Sequence, residues 1–379
     1  MRPRLLLHVQ HLLGTGHLRR MAAIAEALAA RGARTLLVSG GEPVAGLRLG
    51  AADFVQLPPA RAADTRFKSL VTPDGQAVDA AWKSARVEAL LRLEAQFAPD
   101  LVLIEHFPFG RRLLEFELLP LIAATRAASR PTRVVSSVRD ILVQKPDPAR
   151  RAAMVARAAS LFDHVLFHGD PRLIALTATL PEAAALGERL VATGYVAIAQ
   201  AEPELAPGSG AIAPGEDEIV VSAGGGGVGR RLLDCALAAR TLSRHRHRTW
   251  RILSAQTGLA ARIEPGLVVE PNRPDFPTLL ARAMLSVSQA GYNTVVDLLA
   301  ARTRAVLVPF DQDGESEQTV RAHALAARGL ATTLREATLS PDMLAHAIDR
   351  AAALARPTHD IDLGGAASSA ELLIGWSRR

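Results

Sequence analysis

At 379 residues, with 49% apolar and 22% charged side chains, the chain is long enough for two domains with full cores and too apolar for a disordered protein. The formal charge of +6 does not make a nucleic-acid binder, because the basic residues are scattered, only 4% of residues are aromatic, and Lys68, Lys83 and Lys145 are the only lysines in an arginine-rich chain. Cys235 is the only cysteine, which excludes an internal disulfide, a zinc–cysteine cluster and a CxxC redox site.

The N-terminus, Met1-Arg-Pro-Arg followed by Leu5-Leu-Leu-His-Val, turns polar too soon for a signal peptide. No apolar run reaches the roughly 18 residues of a membrane span. A cytoplasmic protein is expected, peripheral at most at the inner face of an anionic membrane.

Arg4 to Gln10 reads as a short apolar strand with a glycine-bearing exit loop, Leu12-Leu-Gly-Thr-Gly-His17. Leu18, Met21, Ile24, Ala25 and Leu28 then recur at helical spacing until Arg31-Gly32, and a strand follows over 35–39. This is a βαβ opening. Further strands are expected at 54–57, 101–107, 133–138, 165–168 and 190–193, separated by helices near 77–97, 111–129 and 147–160. Such alternation means a parallel sheet covered on both faces.

Residues 199–217 are rich in Ala, Pro, Gly and acids without any period, and read as a linker between an N-terminal domain (1–198) and a C-terminal one (218–362). The second series has strands at 218–222, 250–253, 267–269, 284–287, 305–308 and 330–333. A last helix, around 366–376 within the tail 363–379, is expected to pack back on the first domain. The fold class is α/β: two Rossmann-like halves of similar size.

The most informative stretch is Ser288-Gln-Ala-Gly-Tyr-Asn-Thr-Val-Val-Asp297. A strand runs into a glycine turn and then a helix opened by Asn293 and Thr294, so free backbone N–H groups and a positive helix end face one spot that suits a phosphate. Gln289, Gly291 and Tyr292 line that turn, Asp297 can accept hydrogen bonds from a ribose diol, and Glu317 and Gln318 can hold sugar hydroxyls. A phosphate seat, a diol acceptor and a hydroxyl clamp together suggest a nucleotide sugar.

Ser222 leads into Gly224-Gly225-Gly226-Gly227-Val-Gly229, which matches G-x-G-x-x-G. A dinucleotide site also needs an acid at the tip of the next strand, where Ser254-Ala-Gln-Thr has none, so the loop is read as a diphosphate cradle without nicotinamide or flavin. Asp311-Gln-Asp313 has the D-x-D form of some metal-dependent sugar transferases, but is read here as a sugar-facing or structural loop. No metal and no cofactor are expected.

In the first half, Gly14-Thr15-Gly16-His17 places an imidazole at a helix start, where the dipole favours its neutral, base-competent form. Glu105-His-Phe-Pro-Phe-Gly-Arg111-Arg112 ends a strand, where open α/β sheets place ligands. Glu105 can orient His17 or act as the base, and Arg111 and Arg112 can grip a phosphate or carboxylate of an acceptor. Arg139 and Asp140 end the next strand as a similar pair. Each of these also has a plainer reading as a loop cap or solvated charge.

The Ser288–Asp297 segment, with Pro309, Gln318, Arg321, Ala322 and Leu325 in step, resembles the donor box of GT-B glycosyltransferases, most closely that of the MurG family. Its acid is Asp297 where that family usually has Glu. Gly14-Thr-Gly-His-Leu-Arg19 resembles the first glycine motif of MurG and the G-x-G-H-x-x-R of the nucleotide-sugar hydrolase of pseudaminic acid synthesis. The whole chain resembles a bacterial family known only as predicted glycosyltransferases, through Gly14-Thr-Gly-His, Phe107-Pro-Phe-Gly-Arg-Arg, Ser137-Val-Arg-Asp-Ile and His168-Gly-Asp-Pro-Arg.

The resemblance implies GT-B architecture, with two Rossmann-like domains facing across a cleft. It implies a metal-independent, inverting transfer of a hexose-type sugar from a nucleoside diphosphate, UDP being expected, to a hydroxyl or amine of a small or lipid-linked acceptor. His17, Glu105 or Asp140 would supply the base, and Gly14, Thr15, Gly16, Arg19, Arg111, Arg112 and Arg139 would hold the acceptor. A nucleotide-sugar hydrolase or epimerase, and a non-catalytic sugar-nucleotide binder, remain alternatives.

Overall fold

The computed structural model describes residues 2–12, 14–64, 68–142, 147–198, 214–224, 229–254, 259, 261–311 and 316–378. The expected linker is thus described only from Pro214 onward. The chain forms two compact units, Met1–Ile198 with Asp362–Arg379, and Ala199–Ile361.

In the first unit β1 (Arg4–Val9), α1 (Gly16–Ala30), β2 (Arg34–Ser39) and β3 (Asp53–Gln56) lead to a small hairpin, β4 (Arg61–Ala62) and β5 (Leu70–Val71). Then come α2 (Ala80–Phe97), β6 (Leu101–Glu105), α3 (Glu115–Ala127), β7 (Arg133–Arg139), α4 (Pro148–Leu161), β8 (His164–His168), α5 (Leu176–Thr179) and β9 (Leu190–Ala192). Among the described residues the sheet order is β3-β2-β1-β6-β7-β8-β9, parallel throughout. Its first crossover reverses beside β1, so β1 and β6 are central neighbours and their carboxyl ends meet at the switch point.

The near-continuous apolar run of β1 is what a strand covered on both faces needs. Leu5, Leu7 and Val9 pack with α1 on one face, and Leu6 packs with Leu90, Leu118 and Leu121 on the other. Each buried leucine contributes about 2 kcal/mol before entropy. Asp79 accepts the Trp82 N–H at 2.7 Å, which starts α2 three residues later than its expected beginning at 77. Arg86, wholly buried, is forked onto Glu117 at 2.5 and 2.8 Å and reaches Gln10, tying α2 and α3 to the end of β1.

The second unit runs β10 (Ile219–Ser222), α6 (Arg230–Leu242), β11 (Trp250–Leu253), β12 (Arg262–Glu264), β13 (Leu267–Glu270), α7 (Phe276–Arg282), β14 (Leu285–Ser288), α8 (Tyr292–Ala301), β15 (Ala305–Leu307), α9 (Glu317–Ala327), β16 (Thr332–Thr333) and α10 (Pro341–Ala352). The sheet order is β12-β13-β11-β10-β14-β15-β16. All pairs are parallel except β12 with β13, an edge hairpin absent from the sequence reading. Central β10 pairs Ser222 with Ser288, so the ends of β10 and β14 meet at this sheet's switch point.

The final helix, α11 (Gly365–Ser377), belongs to the first unit and packs on α1. Asp170 accepts the Asp362 N–H at 2.9 Å, and Gly365 donates to Tyr195 O at 3.0 Å. A Cβ on Gly365 would stand 2.4 Å from the Gly194 carbonyl, so only glycine allows this approach. His168-Gly-Asp-Pro-Arg172 therefore fastens the returning tail to the first unit. No helix among the described residues is long and apolar enough to cross a membrane.

Candidate functional site

The first unit gathers its chemistry around Glu105. β6 delivers this carboxylate, fully buried, to the carboxyl edge of the sheet, and α1 starts on the neighbouring strand's exit loop. His17 Nδ1 lies 2.5 Å from Glu105 Oε1, and Arg20 Nη2 lies 2.5 Å from the same oxygen. Arg111 Nη2 stands 3.8 Å from Oε2. His17 and Arg20 are three apart on α1 and so share one face.

Burial alone would raise the Glu105 carboxyl, but His17, Arg20 and Arg111 outweigh it and hold the group well below the usual carboxylate range. Burial lowers His17 to about 3, with Arg111 and Arg20 adding to the effect and Glu105 opposing it. The helix dipole expected to favour the neutral ring is thus not the leading cause. With an ionised, acceptor-only partner at Nδ1, the neutral imidazole donates from Nδ1 and leaves Nε2 as a proton acceptor. His17 keeps 17% of its side-chain surface, enough to meet a reactant.

Two residues that complete this cluster were not singled out in the sequence. Arg20, not Arg19, is the arginine of G-x-G-H-x-x-R, and helical spacing from His17 was the available signal. Arg19 instead donates to Thr15 Oγ1 at 3.3 Å. His106, buried with a backbone φ of 65°, sets its ring 5.4 Å from that of His17. A Cβ on Gly110 would fall 2.4 Å from the His106 ring, so Gly110 lets the loop close over it.

The expected arginine pair separates. Arg111 turns inward to Glu105, while Arg112 is exposed. Arg139, half-buried at the end of β7, contributes positive potential to Arg111 and His106. Gly14 takes φ +70° in the exit loop, Thr15 stands at the N-cap position and Gly16 opens α1.

Asp140 needs correction as a candidate base. It is wholly buried, and its two oxygens accept from the Ile141 N–H at 2.9 Å and the Tyr195 hydroxyl at 3.3 Å, which makes it a fastener of the loop. Beside the cluster, His168 bridges Ser137 Oγ at 2.7 Å and Thr193 Oγ1 at 2.8 Å. Burial lowers it to about 3, Arg20 adding and Glu105 opposing.

The second unit's edge is built differently. Gly291 is the N-cap of α8, which starts at Tyr292, one residue before the expected Asn293 and Thr294. The first N–H groups of a helix have no partner within it, and here they open beside half-buried Asn293 and Thr294. Asp297 follows half-buried on the next turn.

Gln289 is 4% exposed, and its Nε2 has no hydrogen-bond partner among the described residues. Gly229, at φ +104°, is packed so closely that a Cβ there would stand 3.0 Å from that nitrogen. Ser222 Oγ accepts the Gly224 N–H at 3.2 Å, and Asn272 donates to Gly224 O at 3.1 Å. Gly225, Gly226 and Gly227 lie outside the described residues, as does Asp313.

Gln318 also departs from expectation. Its Oε1 accepts the Ala290 N–H at 3.0 Å and the Phe310 N–H at 3.2 Å, so that oxygen shapes the loop and is not left for a sugar. Arg321 Nη1 donates to Ala290 O at 2.7 Å with its guanidinium 6.0 Å from the Tyr292 ring centre. Glu317, expected as a hydroxyl holder, is buried as the first residue of α9. Among the described residues no group of three or more His, Cys, Asp or Glu side chains is placed to hold a metal.

Residues 268–357 match the model of the glycosyltransferase family 28 C-terminal domain. A UDP-N-acetylglucosamine--N-acetylmuramyl-(pentapeptide) pyrophosphoryl-undecaprenol N-acetylglucosamine transferase of Rhizobium johnstonii is 36% identical over 89 residues, 24% of this chain and 24% of that protein. The match spans about a quarter of the length of such relatives.

Over the full length, the glycotransferase of kitacinnamycin superposes with a TM-score of 0.61 at 16% identity, covering 100% of this chain and 96% of that one. MurG of Acinetobacter baumannii gives 0.56 at 16%, covering 98% and 99%. The fold is that of the GT-B glycosyltransferases. The family 28 match lies within the second unit and includes the Ser288–Asp297 segment and α9.

Proposed function

We propose that the protein transfers a hexose-type sugar from a nucleoside diphosphate, UDP first among the candidates, to an acceptor hydroxyl or amine with inversion and without a metal. The observation that carries the class is the family 28 match, which falls on the loop and helix start bearing the buried Gln289 amide, whose Nε2 has no partner among the described residues. That half would hold the donor. The Gly224 loop, Gln289 Nε2 and the first N–H groups of α8 would stabilise the diphosphate as its charge grows, each well-placed donor being worth a few kcal/mol, about 3–4 at most.

His17 would act as general base from the first half. The acceptor's oxygen or nitrogen forms its bond to the anomeric carbon as the bond to the diphosphate oxygen breaks, and its proton passes to His17 Nε2. Glu105 holds the ring through Nδ1 and stabilises the imidazolium that forms. The His17–Glu105 pair favours an enzyme over a binding module, since a binder has no need of an oriented imidazole beside a buried carboxylate.

Incubation with UDP-, GDP-, dTDP- and CDP-hexoses tests the reading. Binding of one nucleotide, with little free sugar released until an acceptor is added, is expected. Rapid release of sugar without acceptor would mean a hydrolase, and no binding of any nucleotide would refute the donor site. Activity lost to a chelator and restored by Mg²⁺ would refute metal independence.

A further inference from the structure

The proposed transfer leaves His106 without a task, although its ring stands 5.4 Å from that of His17, tilted by 58°. Successive residues of a strand point to opposite faces, so an extended β6 would send residue 106 away from the side that Glu105 serves. Instead His106 adopts φ 65°, a left-handed conformation that is costly for a residue with a Cβ and persists only where neighbours enforce it. Here the His106 N–H donates to Ser137 O at 2.7 Å, and its carbonyl accepts the Gly110 N–H at 2.7 Å. The pinned turn lets two consecutive residues share one cluster.

His106 is only 8% exposed, and its Nδ1 is buried with no hydrogen-bond partner among the described residues. Burial holds the ring well below the usual imidazole range, Glu105 opposing and Arg111, His17 and Arg139 adding, so the ring is neutral and carries one N–H. An N–H at Nδ1 would be a buried donor with nothing to meet, in cationic surroundings, and orphaned buried N–H groups are rarer than under-satisfied acceptors. The proton therefore belongs on Nε2. That edge of the ring faces Gly110, where any side chain would put a Cβ 2.7 Å from Nε2 and 2.4 Å from Cδ2, and the half-buried glycine leaves it uncovered. His17 has the opposite arrangement, with its N–H on Nδ1 toward Glu105 and a lone pair on Nε2. The two rings together offer one acceptor and one donor.

We infer that His106 is a second substrate-contacting residue, donating from Nε2 to a hydroxyl next to the one that His17 deprotonates. Hydroxyls on adjacent carbons answer both rings, since one gives its proton to the His17 lone pair while its neighbour accepts from His106. A lone hydroxyl or amine satisfies His17 only and leaves the His106 donor unpaired, which is how a buried polar group discriminates against an analogue that lacks its partner. The inference rests on the proposed transferase activity and narrows its acceptor to a molecule with vicinal hydroxyls.

The test uses the full chain, whichever of the four nucleoside diphosphate hexoses above binds, and two acceptor probes of one shape, cyclohexanol and cis-cyclohexane-1,2-diol. Glycoside formation from the diol is expected to exceed that from cyclohexanol by about tenfold or more in kcat/KM. His106→Phe keeps a ring and removes both nitrogens, so it should erase this preference by slowing the diol while sparing cyclohexanol. His106→Gln, with a donor near the Nε2 position, should retain part of it, and Gly110→Ala should reduce it by crowding the unaltered ring. Equal rates for the two alcohols in wild type, or a preference unchanged in His106→Phe, would overturn the inference. Nitrogen NMR of the histidine side chains gives a readout free of turnover: His106 is expected as the Nε2–H tautomer, its signal moved by the diol more than by cyclohexanol, with exposed His247 as the reference. An Nδ1–H tautomer would also overturn the inference. If neither alcohol is glycosylated while the diol still moves the His106 signal, the transferase reading fails and the diol contact stands; if both are glycosylated at equal rates, the transferase reading stands and the contact fails.

Discussion

At the carboxyl edge of the first sheet the working groups are buried charges, Glu105, Arg20 and Arg111 around His17. At the same edge of the second they are backbone N–H groups and the neutral amide of Gln289. Burying a charge is costly unless partners surround it, so such a cluster specifies a protonation state and resists change. Neutral donors at a helix start cost less and can wait for an anion. The first edge is suited to moving a proton and the second to holding a diphosphate.

The sharpest way to break this contrast is His17→Ala. Loss of a general base should lower kcat by about 10²–10⁴-fold, with nucleotide-sugar affinity near wild type. A variant that turns over normally would move the base elsewhere, Glu105 being the next candidate. Because His17 sits near pKa 3 it is neutral throughout the ordinary working range, so kcat/KM should show no acidic limb from this residue between pH 8 and 5. A limb near 6.5 that disappears in His17→Ala would mean that the ring is solvated in the working enzyme.

Stability should show the same asymmetry. His17 and His168 are held near 3 when folded and titrate near 6.5 when unfolded, so between these values the unfolded chain binds more protons and stability rises with pH. The contribution is present above about pH 6.5 and is lost as the pH falls toward 3, by about 1.4 kcal/mol per pH unit per residue. His168→Gln keeps hydrogen bonding to Ser137 and Thr193 within reach but removes the proton uptake. Denaturant unfolding at pH 7 and pH 5 should show the variant losing about 2 kcal/mol less than wild type between the two. Equal losses would remove His168 as a source of acid sensitivity.

For the second edge, Asp297→Ala should weaken nucleotide-sugar affinity by about 1–3 kcal/mol, as when hydroxyl partners are left unpaired. Unchanged affinity in a folded variant would take Asp297 out of the site.

Much of the fold was legible because parallel strands covered on both faces read as apolar runs, such as Leu5-Leu-Leu and Ile219-Val-Val, punctuated by glycine. Within the site, His17 and Glu105 stood out because strand ends and helix starts are where α/β sheets place ligands. What pairs with what was not legible. Arg20 differs from Arg19 only in its angle around α1, and Arg111 from Arg112 only in a backbone turn, φ 61°, that no residue type announces. Gln318 and Asp140 were misread for a related reason: a polar side chain beside a site can either meet a ligand or hold the loop that does, and only the hydrogen-bond partners distinguish the two.

Gln289 carries the smallest and most discriminating prediction. A buried amide donor without a partner costs free energy in the empty protein, a loss that native structures avoid unless a ligand or water supplies the acceptor. Gln289→Leu keeps the volume and removes a donor left unpaired among the described residues, so thermal stability should hold or rise slightly. Affinity for the nucleoside diphosphate should fall by about 1–2 kcal/mol, roughly five- to thirty-fold. Gly229→Ala is a harsher companion, because its methyl would stand 2.5 Å from Ala223 Cβ as well as 3.0 Å from Gln289 Nε2, in a backbone conformation that disfavours any side chain, so it should cost stability along with affinity. If both variants lose affinity while the His17 environment is unaltered, the second edge holds the diphosphate through neutral donors. If Gln289→Leu instead loses stability and keeps affinity, the amide is a packing element and the diphosphate must be held by the glycine loop and helix start alone.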